Sequence, residues 1–214
     1  MRLKKRRRRR AQHQGRYHHG ELPGALVEAA LRLVETGGAA ALTLRAAARL
    51  AGVSQAAPYR HFPSKEALLA AVAEQGFRAM TAAMRKAVAA CGDSPLERLR
   101  AIGVGYVGFA TRHPSHFRVM FGRETADRSA YPSLREAAAA TFHMLVNTIS
   151  DCQRAGLVRS GEPQDLALAC WSSVHGVASL LGDDQLAGVV DKPAAEVAEI
   201  VTRSLFLGLG PRAA

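Results

Sequence analysis

Apolar residues recur every three to four positions along most of the chain after Gly20, which is the spacing of one face of an α-helix. The first apolar stripe consists of Leu22, Leu26, Ala29, Ala30 and Leu33. Pro23 falls in the first turn of this helix, where backbone N–H groups lack helical partners in any case. Gly37–Gly38 is expected to end it, because glycine readily adopts the left-handed conformation found after helix ends.

Caps, prolines and glycines divide the remaining stripes into further helices. Thr43, Ser54 and Ser64 are expected N-caps, and Ser94-Pro95-Leu96-Glu97 has the sequence of a capping box. The predicted helices after the first cover, in approximate bounds, 44–51, 55–62, 65–90, 95–112, 114–122, 132–155, 163–182 and 193–209. No segment predicts a strand with confidence, so the expected fold class is all-α with about nine helices.

The positive charge is confined to the first third of the chain. Residues 1–65 hold 14 Lys and Arg against three acidic residues, whereas residues 66–214 hold 15 of each, and the formal net charge is +11. A basic module joined to a neutral one indicates a reader of a polyanion attached to a part with another task. With 48% hydrophobic residues among 214, the chain is able to bury a sizeable core.

The most basic segment is the N-terminal tail. Lys4, Lys5 and Arg6–Arg10 are contiguous, and almost no apolar residue accompanies them. Because like charges repel and no core can form here, residues 1–16 are predicted to be disordered. Two roles stay open: an arm that grasps phosphates or enters the minor groove of DNA, or a solvated tail without function.

The chain lacks the signatures of several other protein classes. Cys91, Cys152 and Cys170 are far apart and show no zinc-ligand spacing, so no metal site is expected. They are interpreted as reduced thiols of a cytoplasmic protein, with a redox sensor as the alternative. No phosphate-binding glycine loop or hydrolase motif occurs, so neither an enzyme nor a cofactor is expected. The uncharged stretch 166–182 is too short to span a membrane.

The segment from Thr43 to Phe62 predicts two short helices joined by a tight turn, which is the plan of a helix-turn-helix. Ala47 and Ala48 permit a close crossing of the two helices, and Gly52 supplies a left-handed turn conformation. An ordinary helical hairpin would explain the turn equally well. DNA binding is favoured because the segment lies in the basic third of the chain and contains side chains that bond to bases and phosphates. They are Gln55, Tyr59, Arg60 and His61, and Lys65 follows on the next helix.

Two stretches resemble a known family. Tyr17-His18-His19-Gly20, followed by TLRAAARLAGVSQAAPYRHFPSKEALL at residues 43–69, resembles the DNA-binding domain of the tetracycline-repressor (TetR) family over residues 17–73. Trp171-Ser-Ser-Val-His175-Gly176 resembles the Trp…His-Gly signature in the C-terminal domain of one TetR subgroup. The resemblance implies a DNA-binding domain at residues 17–66 and an effector-binding and dimerisation domain at residues 67–214.

The resemblance also implies contacts with double-stranded DNA. The DNA backbone or nearby bases would be approached by Thr43 and Arg45. Base edges would be faced by Gln55, Ala56 and Ala57, with Ser54 capping their helix. Phosphates would be held by Tyr59, His61 and Lys65. Arg60 is either a base reader or a core-facing ion-pair partner.

In the C-terminal domain, the resemblance implies a homodimer and a pocket for a small-molecule effector. Plausible dimer contacts on the last two helices are Leu166, Cys170, Val177, Ile200, Ser204 and Leu207. Candidate pocket residues are Phe109, His113, Phe117, Met120, Phe121, Phe142, Leu145, Trp171 and His175. For both sets, packing in the core of a single subunit is the alternative.

The expected function is therefore that of a transcription regulator. As a family expectation, it is a repressor that binds a palindromic operator as a dimer and is released by a small molecule. The alternative is an architectural protein that binds DNA regardless of sequence. It is suggested by the arginine-rich tail and by Ala56-Ala57-Pro58, which offers few polar groups to bases.

Overall fold

The computed structural model describes residues 22–125 and 127–209, and this part of the chain is all-α, as predicted. It contains eight α-helices, two short 3₁₀-helices and no strand. The α-helices are α1 (Leu22–Ala41), α2 (Leu44–Leu50), α3 (Lys65–Ala89), α4 (Pro95–Arg112), α5 (Pro114–Phe121), α6 (Pro132–Arg154), α7 (Pro163–Gly182) and α8 (Ala194–Leu209). The 3₁₀-helices are Pro58–Arg60 and Arg123–Thr125. The predicted tail at 1–16 and the motif at 17–20 lie outside the described residues.

The helix ends follow the predicted signals with two differences. In α1 the backbone leaves helical geometry at Gly38, where φ is 69°, as the glycine pair predicts. The capping box at α4 is not formed: Ser94 occupies the N-cap, but its side chain accepts no hydrogen bond from the helix. Pro95 starts α4 instead, since its missing N–H removes a donor that would otherwise be orphaned. The predicted helix at 55–62 also differs, and it is described with the DNA-facing surface.

α3 joins the two ends of the molecule. It continues without a break through the expected domain boundary at residue 66, and its buried side chains recur at helical spacing from Leu68 to Met84. It packs against α1 near its start and against α4, α5 and α6 further along. One contiguous hydrophobic core runs along it. The N-terminal and C-terminal parts are thus attached to a single continuous helix.

α3 and α4 approach closely at Gly105. A Cβ atom built at this position would lie 3.0 Å from the Cα of Met84 and 3.2 Å from the Cβ of Ala87. The contact involves the backbone of α3, which cannot move aside as a flexible side chain can. Glycine at residue 105 therefore sets the distance between these two helices.

α7 and α8 combine a buried side with an exposed apolar side. Two of the predicted dimer contacts, Leu166 and Cys170, are buried in the core of the single subunit, so for them the prediction is wrong and the core alternative holds. Val177 is half-buried and Ser204 exposed. The exposed apolar side chains of the two helices are Leu168, Leu180, Ile200 and Leu207.

No helix in the described ranges is long and apolar enough to cross a membrane.

Candidate DNA interface and ligand cavity

The turn after α2 is built as the sequence predicts. Thr43 is the N-cap of α2, and its hydroxyl accepts a hydrogen bond of 3.0 Å from the Ala46 N–H. At the other end, Gly52 has a φ of 71°. The N–H of Val53 donates to the Ala48 carbonyl and that of Gly52 to the Arg49 carbonyl, which are the two bonds of a Schellman motif. The chain therefore reverses sharply after α2.

The predicted second helix at 55–62 is wrong in extent. Residues 55–57 form turns, and only Pro58–Arg60 forms a 3₁₀-helix. Proline 58 explains the difference, because it has no N–H to donate to the Ser54 carbonyl in an α-helix. The Ala57 N–H bonds to that carbonyl instead, at 3.0 Å. The Ser54 cap is likewise not formed, since the 3₁₀-helix begins after Ala57 and has no side-chain cap.

The ten predicted DNA-contacting residues lie on one continuous segment, from the N-cap of α2 to the first residue of α3. Two of them, Ala57 and Lys65, are half-buried. Eight are exposed: Thr43, Arg45, Ser54, Gln55, Ala56, Tyr59, Arg60 and His61. The exposure of Arg60 removes its alternative role as a core-facing ion-pair partner.

Buried neighbours hold this segment in place. Pro58, in the 3₁₀-helix, and Phe62, just after it, are both buried. Tyr59 lies between them in the sequence and is 53% exposed. Ser64 caps α3 by accepting a hydrogen bond of 3.2 Å from the Ala67 N–H, as predicted. The N-terminus of α3, with Lys65 as its first residue, therefore borders the same surface, and its free N–H groups favour an anion such as phosphate.

The second feature is a cavity of about 320 Å³ among α3, α4, the end of α5, α6, α7 and α8. Its walls are mainly apolar and aromatic. Four predicted pocket residues line it: Phe121, Phe142, Leu145 and Trp171. Five do not: Phe109, Phe117 and Met120 are buried in the core, His113 is exposed at the end of α4, and His175 faces elsewhere. The core alternative thus holds for Phe109 and Met120.

A second cleft, of about 270 Å³, lies beside the cavity and is lined by His175, Phe117 and Phe121. A partly buried hydrogen-bond chain connects the cavity and the cleft. The Trp171 Nε1–H donates to the Tyr106 hydroxyl at 3.2 Å, and the Tyr106 oxygen lies 2.8 Å from His175 Nδ1. Burial raises the pKa of Tyr106 and lowers that of His175, which favours a protonated phenol and a neutral imidazole. In the tautomer with its proton on Nε2, His175 Nδ1 is an acceptor for the phenol O–H.

Two arginines are the only charged groups in the cavity lining that the structure describes. Arg128 donates from a terminal guanidinium nitrogen to the Met120 carbonyl at 3.0 Å, and its central carbon lies 4.8 Å from the centre of the Phe77 ring. Arg135, on the first turns of α6, is exposed. Within residues 22–125 and 127–209, no group of three or more His, Cys, Asp or Glu is placed to hold a metal ion.

Two protein-family models match the chain. The model described as bacterial regulatory proteins, tetR family, covers residues 26–72, which include α2 and the turn after it. The model described as tetracyclin repressor-like, C-terminal domain, covers residues 99–205, which is half of the chain. The chain belongs to the TetR family. The matched descriptions do not name the Trp…His-Gly subgroup, so that assignment stays a prediction.

Solved structures and one curated protein are also similar to this chain. A Rhodococcus sp. RHA1 protein of unknown function is 34% identical, with a TM-score of 0.81 over 92% of this chain and 100% of that chain. AibR in complex with isovaleryl coenzyme A and operator DNA is 20% identical, with a TM-score of 0.66 over 86% and 97%, and shares the fold. The nucleoid occlusion factor SlmA of Marinobacter nauticus is 28% identical over 137 residues, 64% of this chain and 69% of SlmA.

Sequence reasoning named only four of the twenty residues that line the cavity in this TetR-family protein. Residues from α3, α4 and α8 line it as well, including Phe77, Tyr106 and Phe206. Their apolar periodicity does not distinguish cavity from core, because both lie on the inner face of a helix. Arg128 and Arg135 carried a better signal, since an arginine that lines an apolar cavity is uncommon. That signal is visible only once the cavity is located.

Proposed function

We propose that this TetR-family protein is a dimeric repressor that binds a palindromic operator and is released by a small molecule. The observation that carries the proposal is the exposed segment from Thr43 to Lys65, which presents base-bonding and phosphate-bonding groups on a rigid turn. The exposed apolar side of α7 and α8 supports a dimer, and two copies would place two such segments on successive major grooves.

The cavity supports effector control. It is large enough for a small molecule, whose usual pockets measure ~300–1,000 Å³. It is also lined by α3, the helix that begins at the DNA-facing segment, so a ligand that alters the packing of α3 would move that segment. AibR, which shares the fold, holds an acyl-coenzyme A and operator DNA in one complex. This fold is thus able to bind a small molecule as well as operator DNA.

The test is whether the protein prefers one DNA sequence. Selection from a randomised DNA pool, followed by footprinting, should give a palindrome that is bound at least ~10³-fold more tightly than random DNA. Equal affinity for both would contradict a regulator and support the architectural alternative. Adding a ligand of the cavity should then weaken operator binding, and a tightly bound ligand without any effect would contradict effector release.

Gln55→Ala and Lys65→Gln should separate base reading from phosphate anchoring. Gln55→Ala removes the only exposed amide of the turn, and we expect operator affinity to fall by about tenfold or more with little change on random DNA. Lys65→Gln should weaken binding to both DNAs by similar factors and lower the salt slope by about one. Fluorescence anisotropy at several salt concentrations measures both effects. An equal loss on both DNAs for Gln55→Ala would contradict its role as a reader.

Deleting residues 1–14 tests the arginine-rich tail. This segment carries eight basic residues, and each phosphate that they neutralise releases condensed counterions. We expect the deletion to flatten the dependence of log affinity on log salt by several units. An unchanged slope would mean that the tail does not contact DNA. If the slope falls and the preference for the palindrome over random DNA is unchanged, the tail contributes to affinity and not to specificity.

A further inference from the structure

Nearly all uncharged polar groups that line the cavity already have partners within the protein. The hydroxyls of Thr141 and Thr202 donate to carbonyl oxygens one turn earlier in their helices, at 2.9 and 2.8 Å. The Trp171 indole N–H and the Tyr106 hydroxyl belong to the chain that ends at His175. These groups offer a ligand little beyond apolar surface. An uncharged, strongly polar ligand would lose its hydration without replacement.

Arg128 and Arg135 are different, because most of their donors are unused. An arginine has five N–H donors, and the structure gives Arg128 one hydrogen bond, to the Met120 carbonyl. Its Nε is buried without an acceptor, and burial also lowers the pKa of this side chain. Neither arginine forms an ion pair with a carboxylate of the described residues, and none of the lining residues is acidic. The cavity therefore contains positive charge without its counterion.

We propose that the cavity binds an amphipathic carboxylate. Its acyl or aryl body packs among Phe77, Phe142 and Trp171, and its carboxylate is held by Arg128 and Arg135, whose planar guanidinium groups fit that anion with paired hydrogen bonds. A cationic ligand is excluded by the same charges. The statement that this ligand controls DNA binding rests on the proposed function. The statement that it binds to the cavity does not.

The single tryptophan of the chain makes binding directly measurable. Trp171 lines the cavity, so its fluorescence reports occupancy of this site. The probes are octanoate, 1-octanol and octylamine, which share the apolar chain and differ in the charge of the head group. We expect octanoate to bind about ten- to a hundredfold more tightly than 1-octanol, and octylamine to bind more weakly than either, since a charge-assisted hydrogen bond is worth ~1.5–3 kcal/mol.

Arginine variants show which side chains bind the carboxylate of the ligand. Arg128→Gln and Arg135→Gln should each lower octanoate affinity by about tenfold or more and leave 1-octanol affinity unchanged, which also shows that the variants are folded. Arg135 is exposed, so its replacement is not expected to disturb folding even if that of Arg128 does. Arg118→Gln is the matched control, because Arg118 is an exposed arginine that lines the second cleft and not the cavity.

Several results would overturn the proposal. Equal affinities for octanoate and 1-octanol would remove the role of charge, and tight binding of octanoyl-coenzyme A without binding of octanoate would replace the carboxylate by a larger anion. Quenching that Arg118→Gln abolishes and Arg135→Gln does not would move the site to the second cleft. All titrations are made without DNA. A protein that binds octanoate as expected but selects no DNA sequence would contradict the proposed function alone.

Discussion

Leu207→Glu is expected to dissociate the proposed dimer and to weaken operator binding by ~10²-fold or more. Leu207 is 84% exposed in the single subunit, and Ile200, two turns earlier on the same face of α8, is 44% exposed. In a two-fold interface, one substitution introduces two carboxylates near the same axis, and burying each without a partner costs several kcal/mol. A monomer engages one half-site only, so the gain from binding two linked half-sites is lost.

Light scattering at micromolar concentration measures the oligomeric state, and fluorescence anisotropy measures operator affinity. Ala82→Glu is the matched control, since Ala82 is exposed on α3 and no large exposed apolar residue lies on that helix in the described structure. It should leave both the dimer and DNA binding unchanged. A Leu207→Glu protein that remains a dimer would show that this side of α7 and α8 is not the interface.

Gly105→Leu is expected to lower the free energy of unfolding by about 2–3 kcal/mol. A Cβ at this position already meets the Met84 Cα at 3.0 Å, so a larger side chain must push α4 away from α3 or distort both helices. Urea denaturation followed by circular dichroism measures the change. Because α3 also carries the DNA-facing segment, operator affinity should fall in the same variant even where it remains folded.

Gly108→Leu is the matched control in the same helix. The nearest atoms to a Cβ at residue 108 belong to the end of the Arg112 side chain, at 3.4 Å, and a flexible side chain can move. The better helix propensity of leucine should keep the change within about 1 kcal/mol. If Gly105→Leu were as stable as Gly108→Leu, the close approach of α3 and α4 would not be a constraint on this fold.

The helix plan was predictable because its signals are local. Thr43, Gly52, Ser64 and the prolines at helix starts act within a few residues, and each of them works as expected. The second helix of the DNA-binding motif failed for an equally local reason, since Pro58 removes a donor from its middle.

The cavity was not predictable to the same degree because its walls come from distant parts of the chain. Phe121, Phe142 and Trp171 were among the candidate pocket residues, and they do line it. Tyr106 and Phe206 come from other helices, and their neighbours depend on how those helices pack. Periodicity identifies the inner face of each helix, but it does not say which inner positions leave space between them. The role of Arg128 and Arg135 is recognisable only once the cavity that they line is known.

The continuity of α3 has a mechanical consequence. A helix of 25 residues is about 38 Å long at ~1.5 Å per residue, and it has no proline to bend it. If its C-terminal end is held by the bundle, a tilt of about 5° moves its other end by about 3 Å, which is comparable to the separation of hydrogen-bonded atoms. The N-terminal end of α3, which carries Lys65, thus moves furthest when the helix tilts. The same tilt moves Met84, which is five residues from the held end, by only about 0.7 Å, so a small change in packing there is enough to misalign the DNA contacts.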